Sequence, residues 1–171
     1  MQLNITGTPA KKEVFDQVDK YLLENGFNII TQDQTRPWGG FFVIDETQSD
    51  KFIEFFLKDI PEAKTQSIGK VSPKILIVEP GKRLSWQYHY RRSEVWKVIA
   101  GEAGVVTSDT DEETPLQTKK LNDVIILKKG ERHRLIGTNG WGILAEIWQH
   151  TDTEHPSNED DIVRVTDDFG R

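Results

Sequence analysis

The chain contains no cysteine, which excludes disulfides and thiolate metal sites and is compatible with a reducing cytoplasm. It also lacks any run approaching the roughly 18 apolar residues that a membrane helix needs. Its first residues, Met1-Gln2-Leu3-Asn4, show no basic start followed by an apolar stretch, so no signal peptide is expected and a cytoplasmic location is. A basic surplus is missing too: 22 Lys and Arg face 28 Asp and Glu, for a net charge of −6. Nucleic acid and anionic membrane surfaces both call for a basic face and are not expected as partners. A local basic pocket for an anionic small molecule remains compatible with this balance. No internal repeat and no low-complexity linker interrupts the chain.

What is present suits one domain. A length of 171 residues, with five Trp and eight Phe, supplies enough bulk for one sizeable core. Residues Ala10 to Asn25 place Val14, Val18, Tyr21, Leu22 and Leu23 at helical spacing. Thr8 is the expected cap with Pro9 at the first helical position, and Gly26 the expected stop. A strand is expected over Phe41–Asp45 and a second helix over Ser49–Lys58, with Phe52, Phe55, Phe56 and Leu57 on its apolar face and Pro61 ending it. A polar loop containing Gly69 follows. Both helices are read as packing or dimer surface, which makes a homodimer one expectation.

From Lys74 the pattern changes to short β-rich runs separated by turns. The runs are 74–79, 84–90, 94–100, 103–108, 118–121, 124–127, 132–137 and 143–150. Turns are expected at Pro80-Gly81, Ala100-Gly101, Asp109 to Pro115, Lys129-Gly130 and Asn139-Gly140. A last short strand, Ile162–Val165, follows the acidic Glu159-Asp160-Asp161. The expected fold is all-β, with residues 1–35 as a helical extension and 36–171 as a barrel carrying a helical insert near 49–58.

Four residues in this region carry chemistry. Gln87 and His89 stand two apart on an expected strand, so their side chains share one face. Glu94 opens the next strand, and His133 begins another, three residues after Gly130. One amide oxygen, two imidazoles and one carboxylate suit a divalent metal, with zinc, manganese, iron, nickel and cobalt all compatible.

The spacing resembles that of cupins: glycine, five residues, His-x-His, three or four residues, Glu, six residues, glycine. Gly81, His89, Glu94 and Gly101 fit it, with Gln87 replacing the first histidine. Gly130-Glu131-Arg132-His133 resembles the second cupin motif without its proline. A narrower resemblance is to the C-terminal domain of type II phosphomannose isomerases, often fused to a mannose-1-phosphate guanylyltransferase. It is carried by Arg36-Pro37-Trp38-Gly39, Gln87-Tyr88-His89, Arg92-Ser93-Glu94-Val95-Trp96, Gly130 to Leu135, and the ending Glu159 to Arg164 with Gly170-Arg171. It covers residues 36 to 171 apart from insertions near 46–70 and 108–117. The chain departs from it at His89-Tyr90-Arg91, where the family has three histidines, and at Val95, where it has another.

The resemblance implies a double-stranded β-barrel, or jelly roll, and one divalent metal, zinc first, on Gln87, His89, Glu94 and His133. It also implies interconversion of mannose 6-phosphate and fructose 6-phosphate, with a sugar phosphate as partner. Arg92 and Glu146 are then the candidate catalytic residues, Glu146 because a carboxylate in the apolar strand Leu144–Trp148 must be paired or perform chemistry. Arg36, Lys74 and Arg134 are the candidate substrate cations. Two alternatives stand beside the isomerase: a non-catalytic sugar-binding cupin, and another metal-dependent cupin enzyme acting on a sugar derivative. His150 and His155 are expected at the surface.

Overall fold

A computed structural model of the chain describes residues 3–64 and 70–171; the loop expected around Gly69 lies outside them. Helix α1, Lys11–Glu24, buries Val14, Phe15, Val18 and Leu22. Its N-cap is Ala10 rather than Thr8. Ala10 has no side-chain acceptor, and the Glu13 carboxylate accepts the Ala10 N–H at 3.2 Å instead, which is half of a capping box. At the other end Gly26 takes φ 71°. Its N–H reaches the Leu23 carbonyl and that of Phe27 reaches Leu22, a Schellman closure that a left-handed glycine permits.

Strands β1 (Ile29–Asp33), β2 (Gly39–Ile44) and β3 (Val71–Val78) form an antiparallel run. Helix α2, Ser49–Phe56, and the short α3, Pro61–Lys64, fall between β2 and β3. Pro61 thus opens a turn of helix rather than closing one, as its fixed φ allows at a first helical position. The rest comprises β4 (Trp86–Tyr88), β5 (Arg92–Ser108), β6 (Gln117–Lys120), β7 (Val124–Leu127), β8 (Arg132–His150) and β9 (Val163–Thr166).

Two turns expected from sequence are not turns. β5 runs 17 residues through Ala100-Gly101, and β8 runs 19 residues through Asn139-Gly140. The two pair along their length, with register shifts at Val98/Ala100 and Gly101/Ala103. The glycine signals mark bulges that bend a continuous ribbon, as bulges do. One half of the ribbon extends to β3 on the β8 edge and β7 on the β5 edge; the other extends to β4 and β9 on one edge and β6 on the other. The ribbon therefore belongs to two sheets that face each other, which is a jelly-roll barrel.

Strand alternation sorts the side chains into two cores. Leu76, Val78, Trp96, Val98, Leu127, Leu135 and Leu144 fill the barrel interior. Ile75, Ile77, Val95, Ala145 and Ile147 point outward and are covered by Phe15, Leu22, Phe27, Phe52 and Phe56. All eight residues of β3 are buried, because the helices cover its outer face. The Phe-rich insert is therefore packing within the chain, with Phe55 left exposed. No helix among the described residues is long and apolar enough to cross a membrane.

Candidate metal centre

The interior parity that places Leu76, Trp96 and Leu144 in the barrel also places Lys74, Glu94, Glu146 and Trp148 there, one step nearer one end. Lys74 pairs in register with Glu146, Glu146 with Trp96, and Glu94 with Trp148. From the opposite sheet Gln87 pairs with His133. Polar groups from both sheets thus meet above the apolar core.

His89, Glu94 and His133 are all buried, and one ligand atom of each lies within 4.8 Å of the others. His89 Nε2 is 3.3 Å from one Glu94 oxygen, and His133 Nε2 is 3.6 Å from the other. Each imidazole is aimed by its far nitrogen. His89 Nδ1 lies 2.6 Å from the Asp161 carbonyl and His133 Nδ1 lies 3.0 Å from the Glu131 carbonyl. A carbonyl only accepts, so both Nδ1 atoms carry the proton and both Nε2 atoms present a lone pair inward. His133 Nε2 is buried with no hydrogen-bond partner among the described residues, so its lone pair is available to a metal ion.

Charge states agree. Burial pushes His89 down to about 3, against the pull of Glu94 and with help from His133 and Arg92. Burial likewise lowers His133. For Glu94 burial acts upward, but the Arg92 guanidinium and both imidazoles outweigh it and hold the carboxyl at about 2. Neutral imidazoles and an ionised carboxylate are what metal binding requires. Gln87 joins them through its amide, whose Nε2 lies 3.5 Å from His89 Nε2 while its oxygen accepts the Ser85 hydroxyl. Turning that amide over would aim the oxygen inward and leave Ser85 an acceptor, which a hydroxyl can be. The four residues fit a divalent ion.

Beside this cluster opens a cavity of about 650 Å³, counting its mouth, lined by Arg36, Lys74, Arg92, Arg164 and Arg171 with Gln87, Glu94, Glu146, Trp148 and Glu159. Arg92, the candidate catalytic arginine, is engaged by its neighbours. It is the first residue of β5, is buried, and donates to Glu94 at 2.7 Å, to Ser157 at 2.9 Å and to His89 Nε2 at 3.1 Å. Glu146 accepts from Trp96 Nε1 at 2.9 Å. Burial first, then the Glu94 charge, push it up to about 8 against Lys74 and Arg92.

Lys74 is buried, bonds Glu159 and sits 3.6 Å from the Trp148 ring. Arg36 pairs with Asp33 at 2.8 Å at the rim.

Arg134 is not brought here. Its parity turns it outside the barrel, where it binds Glu113 at 2.6 Å and Thr166 at 3.0 Å. His150 is not at the surface: it is buried, with Nε2 2.9 Å from Ser72, because β8 continues to its end beneath β3 and the following loop. His155 is exposed. Glu159, Arg164 and Arg171 went unassigned in sequence, although all three fall in the ending shared with the isomerase family.

Residues 61–167 match the family model described as mannose-6-phosphate isomerase C-terminal. The chain belongs to that family. Among curated family relatives, the mannose-1-phosphate guanylyltransferase of Salmonella montevideo is 28% identical over 98% of this chain and 30% of its own. The alginate biosynthesis protein AlgA of Pseudomonas aeruginosa is 36% identical over 80% of this chain and 22% of its own. The Escherichia coli mannose-1-phosphate guanylyltransferase is 35% identical over 80% and 22%. This chain thus spans less than a third of those relatives.

Solved structures of an oxalate oxidase with glycolate and of Lactobacillus farciminis oxalate decarboxylase superpose at TM-scores of 0.52 and 0.51. Both are 16% identical and cover 78% of this chain, with 58% and 33% of their own chains covered. These likenesses show the cupin fold. The relatives also correct one expectation. Those of Salmonella montevideo and Escherichia coli are named for guanylyl transfer to mannose 1-phosphate and none of the three is named as an isomerase, so the expected interconversion of mannose 6-phosphate and fructose 6-phosphate does not stand.

Proposed function

We propose that this chain is a metal-binding cupin domain that takes a sugar phosphate, of the mannose-phosphate class named in its relatives, into the cavity beside Gln87 and Glu94. One observation carries the reading. On a protein with net charge −6, five cations, Arg36, Lys74, Arg92, Arg164 and Arg171, line one cavity next to the buried His89–Glu94–His133 cluster. A phosphate monoester carries about −1.5 to −2 charges near neutral pH, and guanidinium groups match its oxygens.

Gln87, His89, Glu94 and His133 would hold the ion, zinc first among metals suited to nitrogen and oxygen donors. Such an ion acts as a Lewis acid toward ligand oxygens. The chain's own residues supply the rest. Arg92 holds Glu94 ionised, the Asp161 and Glu131 carbonyls orient the imidazoles, and the Trp96 N–H bridges Glu94 and Glu146. Guanylyl transfer is named for relatives of which this chain spans less than a third; the part proposed for this domain is recognition of the sugar phosphate.

Titration calorimetry of the zinc-loaded protein with mannose 1-phosphate and mannose 6-phosphate tests this. Binding of at least one, weakened by Arg92→Ala or by chelation, is expected. Absence of binding by both, in a sample shown to contain metal, would sink the reading.

A further inference from the structure

The cavity holds an ion pair of unequal partners. The Lys74 side chain is only 6% exposed, whereas that of Glu159, whose carboxylate it binds, is 65% exposed. A buried ammonium must be paired, and Lys74 is held from within the fold: it lies mid-strand in β3, with Nζ 3.6 Å from the Trp148 ring and 5.1 Å from that of Phe41. Glu159 by contrast reaches in from solvent. Its backbone neighbours are tied down on both sides. The Asn158 carbonyl accepts from Arg92, and the buried Asp161 carboxylate accepts from the Tyr90 and Arg91 N–H groups and from Ser157. The segment therefore stays in place while the Glu159 side chain remains free to swing outward. A second feature points the same way: Trp148 lines the cavity, and its buried Nε1–H has no hydrogen-bond partner among the described residues. Lys74 and Trp148 line one cavity, the Trp148 ring carries a buried N–H without a partner among the described residues, and an exposed carboxylate occupies the cation.

We propose that Lys74 and Trp148 form the anion subsite of this cavity and that Glu159 is its built-in competitor, occupying Lys74 until a phosphate group displaces it. This rests on the sugar-phosphate reading above and adds to it a residue that lowers affinity. The pair keeps Lys74 compensated when no ligand is bound. A phosphate places more negative charge and three acceptor oxygens where Glu159 offers one carboxylate, and that difference drives the exchange.

Calorimetry of the zinc-loaded full chain with inorganic phosphate and with mannose 1-phosphate tests it, using the parent, Glu159→Gln, Lys74→Met and the double variant. Glu159 is exposed, so Glu159→Gln is expected to fold, which an unchanged circular dichroism spectrum checks. Removing the competitor should tighten phosphate binding by about three- to tenfold, the range of a half-exposed charged contact. In the Lys74→Met background Glu159→Gln should have no effect, because the contact it relieves is gone. Equal or weaker binding by Glu159→Gln, with the parent still binding mannose 1-phosphate, overturns the competitor and leaves the sugar-phosphate reading standing. Failure of parent and Glu159→Gln alike to bind either phosphate overturns the subsite, and the sugar-phosphate reading falls with it if mannose 6-phosphate also fails to bind the parent.

Discussion

Arg92 Nε lies 2.7 Å from a Glu94 carboxylate oxygen, two residues along the same strand, and both side chains are at least 95% buried. The guanidinium also reaches His89 Nε2 at 3.1 Å, the nitrogen that faces the candidate metal position. In the metal-free protein Arg92 is thus the counter-charge that keeps Glu94 ionised. Toward a bound dication the same guanidinium is a like charge, and it competes for a ligand lone pair. Arg92→Ala should therefore have opposite effects in the two states. Without metal it should lose about 3–5 kcal/mol of stability, the usual cost of breaking a buried pair. With metal it should bind the ion about tenfold more tightly or better, a gain of about 1.4 kcal/mol. Denaturant titration of chelated protein and competition with a chromophoric chelator measure the two quantities. Weaker metal binding together with unchanged apo stability would refute the account.

His89 and His133 make a simpler case. Replacing either with alanine removes one of two inward lone pairs, and metal content should fall from about one ion per chain to a small fraction of it. Metal binding to the folded state alone stabilises by about 2.7 kcal/mol when free metal exceeds Kd a hundredfold. Zinc should therefore raise the thermal midpoint of the parent and leave that of both variants unmoved. Elemental analysis showing a full complement in His89→Ala and His133→Ala would remove these residues from the site.

Glu146 supplies a pH test. In the folded, metal-stripped protein it stays protonated up to about 8, against 4.5 for an ordinary carboxyl. Between those values the unfolded chain has released a proton that the folded chain keeps. Stability therefore falls as pH rises through that window. Glu94 acts in the opposite sense: held at about 2, it contributes stability above 4.5 that is lost as pH drops toward 2. Burial of neutral His89 and His133 makes stability rise with pH up to about 6.5, so the Glu146 contribution shows above that: apo stability should decline between about pH 7 and 8, and Glu146→Gln should flatten that decline while keeping the bond from Trp96. Thermal midpoints across this range decide it. A parent profile that rises toward pH 8 contradicts the assignment.

How far the sequence could be read follows from which signals are local. Alternation along the expected run 84–90 put Gln87 and His89 on one face, and a motif spacing put Glu94 and His133 with them; the structure brings all four together, with His89 just past the end of β4. The barrel was legible for the same reason, since period-two runs and turn residues act over a few positions. Arg92 was expected as a catalytic residue beside the ligand cluster, and the structure ties its guanidinium to Glu94, Ser157 and Asn158; nothing in its sequence neighbourhood announces that Ser157 and Asn158 return to bind it. Lys74 and Glu159 are 85 residues apart, and their pairing is a product of the fold. Arg134 was a candidate through its place beside His133 although strand parity already pointed it away, and the structure follows the parity. The Ala100-Gly101 and Asn139-Gly140 signals were read as turns, since a bulge in a long bent strand and a turn between two short ones call for the same residue.

That last distinction yields a measurable difference between two glycines of similar φ. Gly101 takes φ 67° and Gly81 takes φ 69°, so alanine at either pays for a left-handed conformation, about 1–2 kcal/mol. Around Gly81 nothing lies within 4 Å of an added Cβ, as expected for a true turn. At Gly101 the same atom would sit 1.9 Å from the Trp141 carbonyl oxygen on the paired strand. That oxygen belongs to backbone, so no rotamer change relieves the clash, and β5 and β8 must separate where they pass from one sheet to the other. Gly81→Ala should lower the unfolding free energy by about 1–2 kcal/mol. Gly101→Ala should cost about 4 kcal/mol or more, in the range reserved for backbone strain and core disruption. It should also loosen the amides of Val98 to Ala103 in hydrogen exchange, while those of β4 and β9 stay protected. Equal costs at the two sites would mean that Ala100-Gly101 behaves as a surface turn and that β5 does not run unbroken through the barrel.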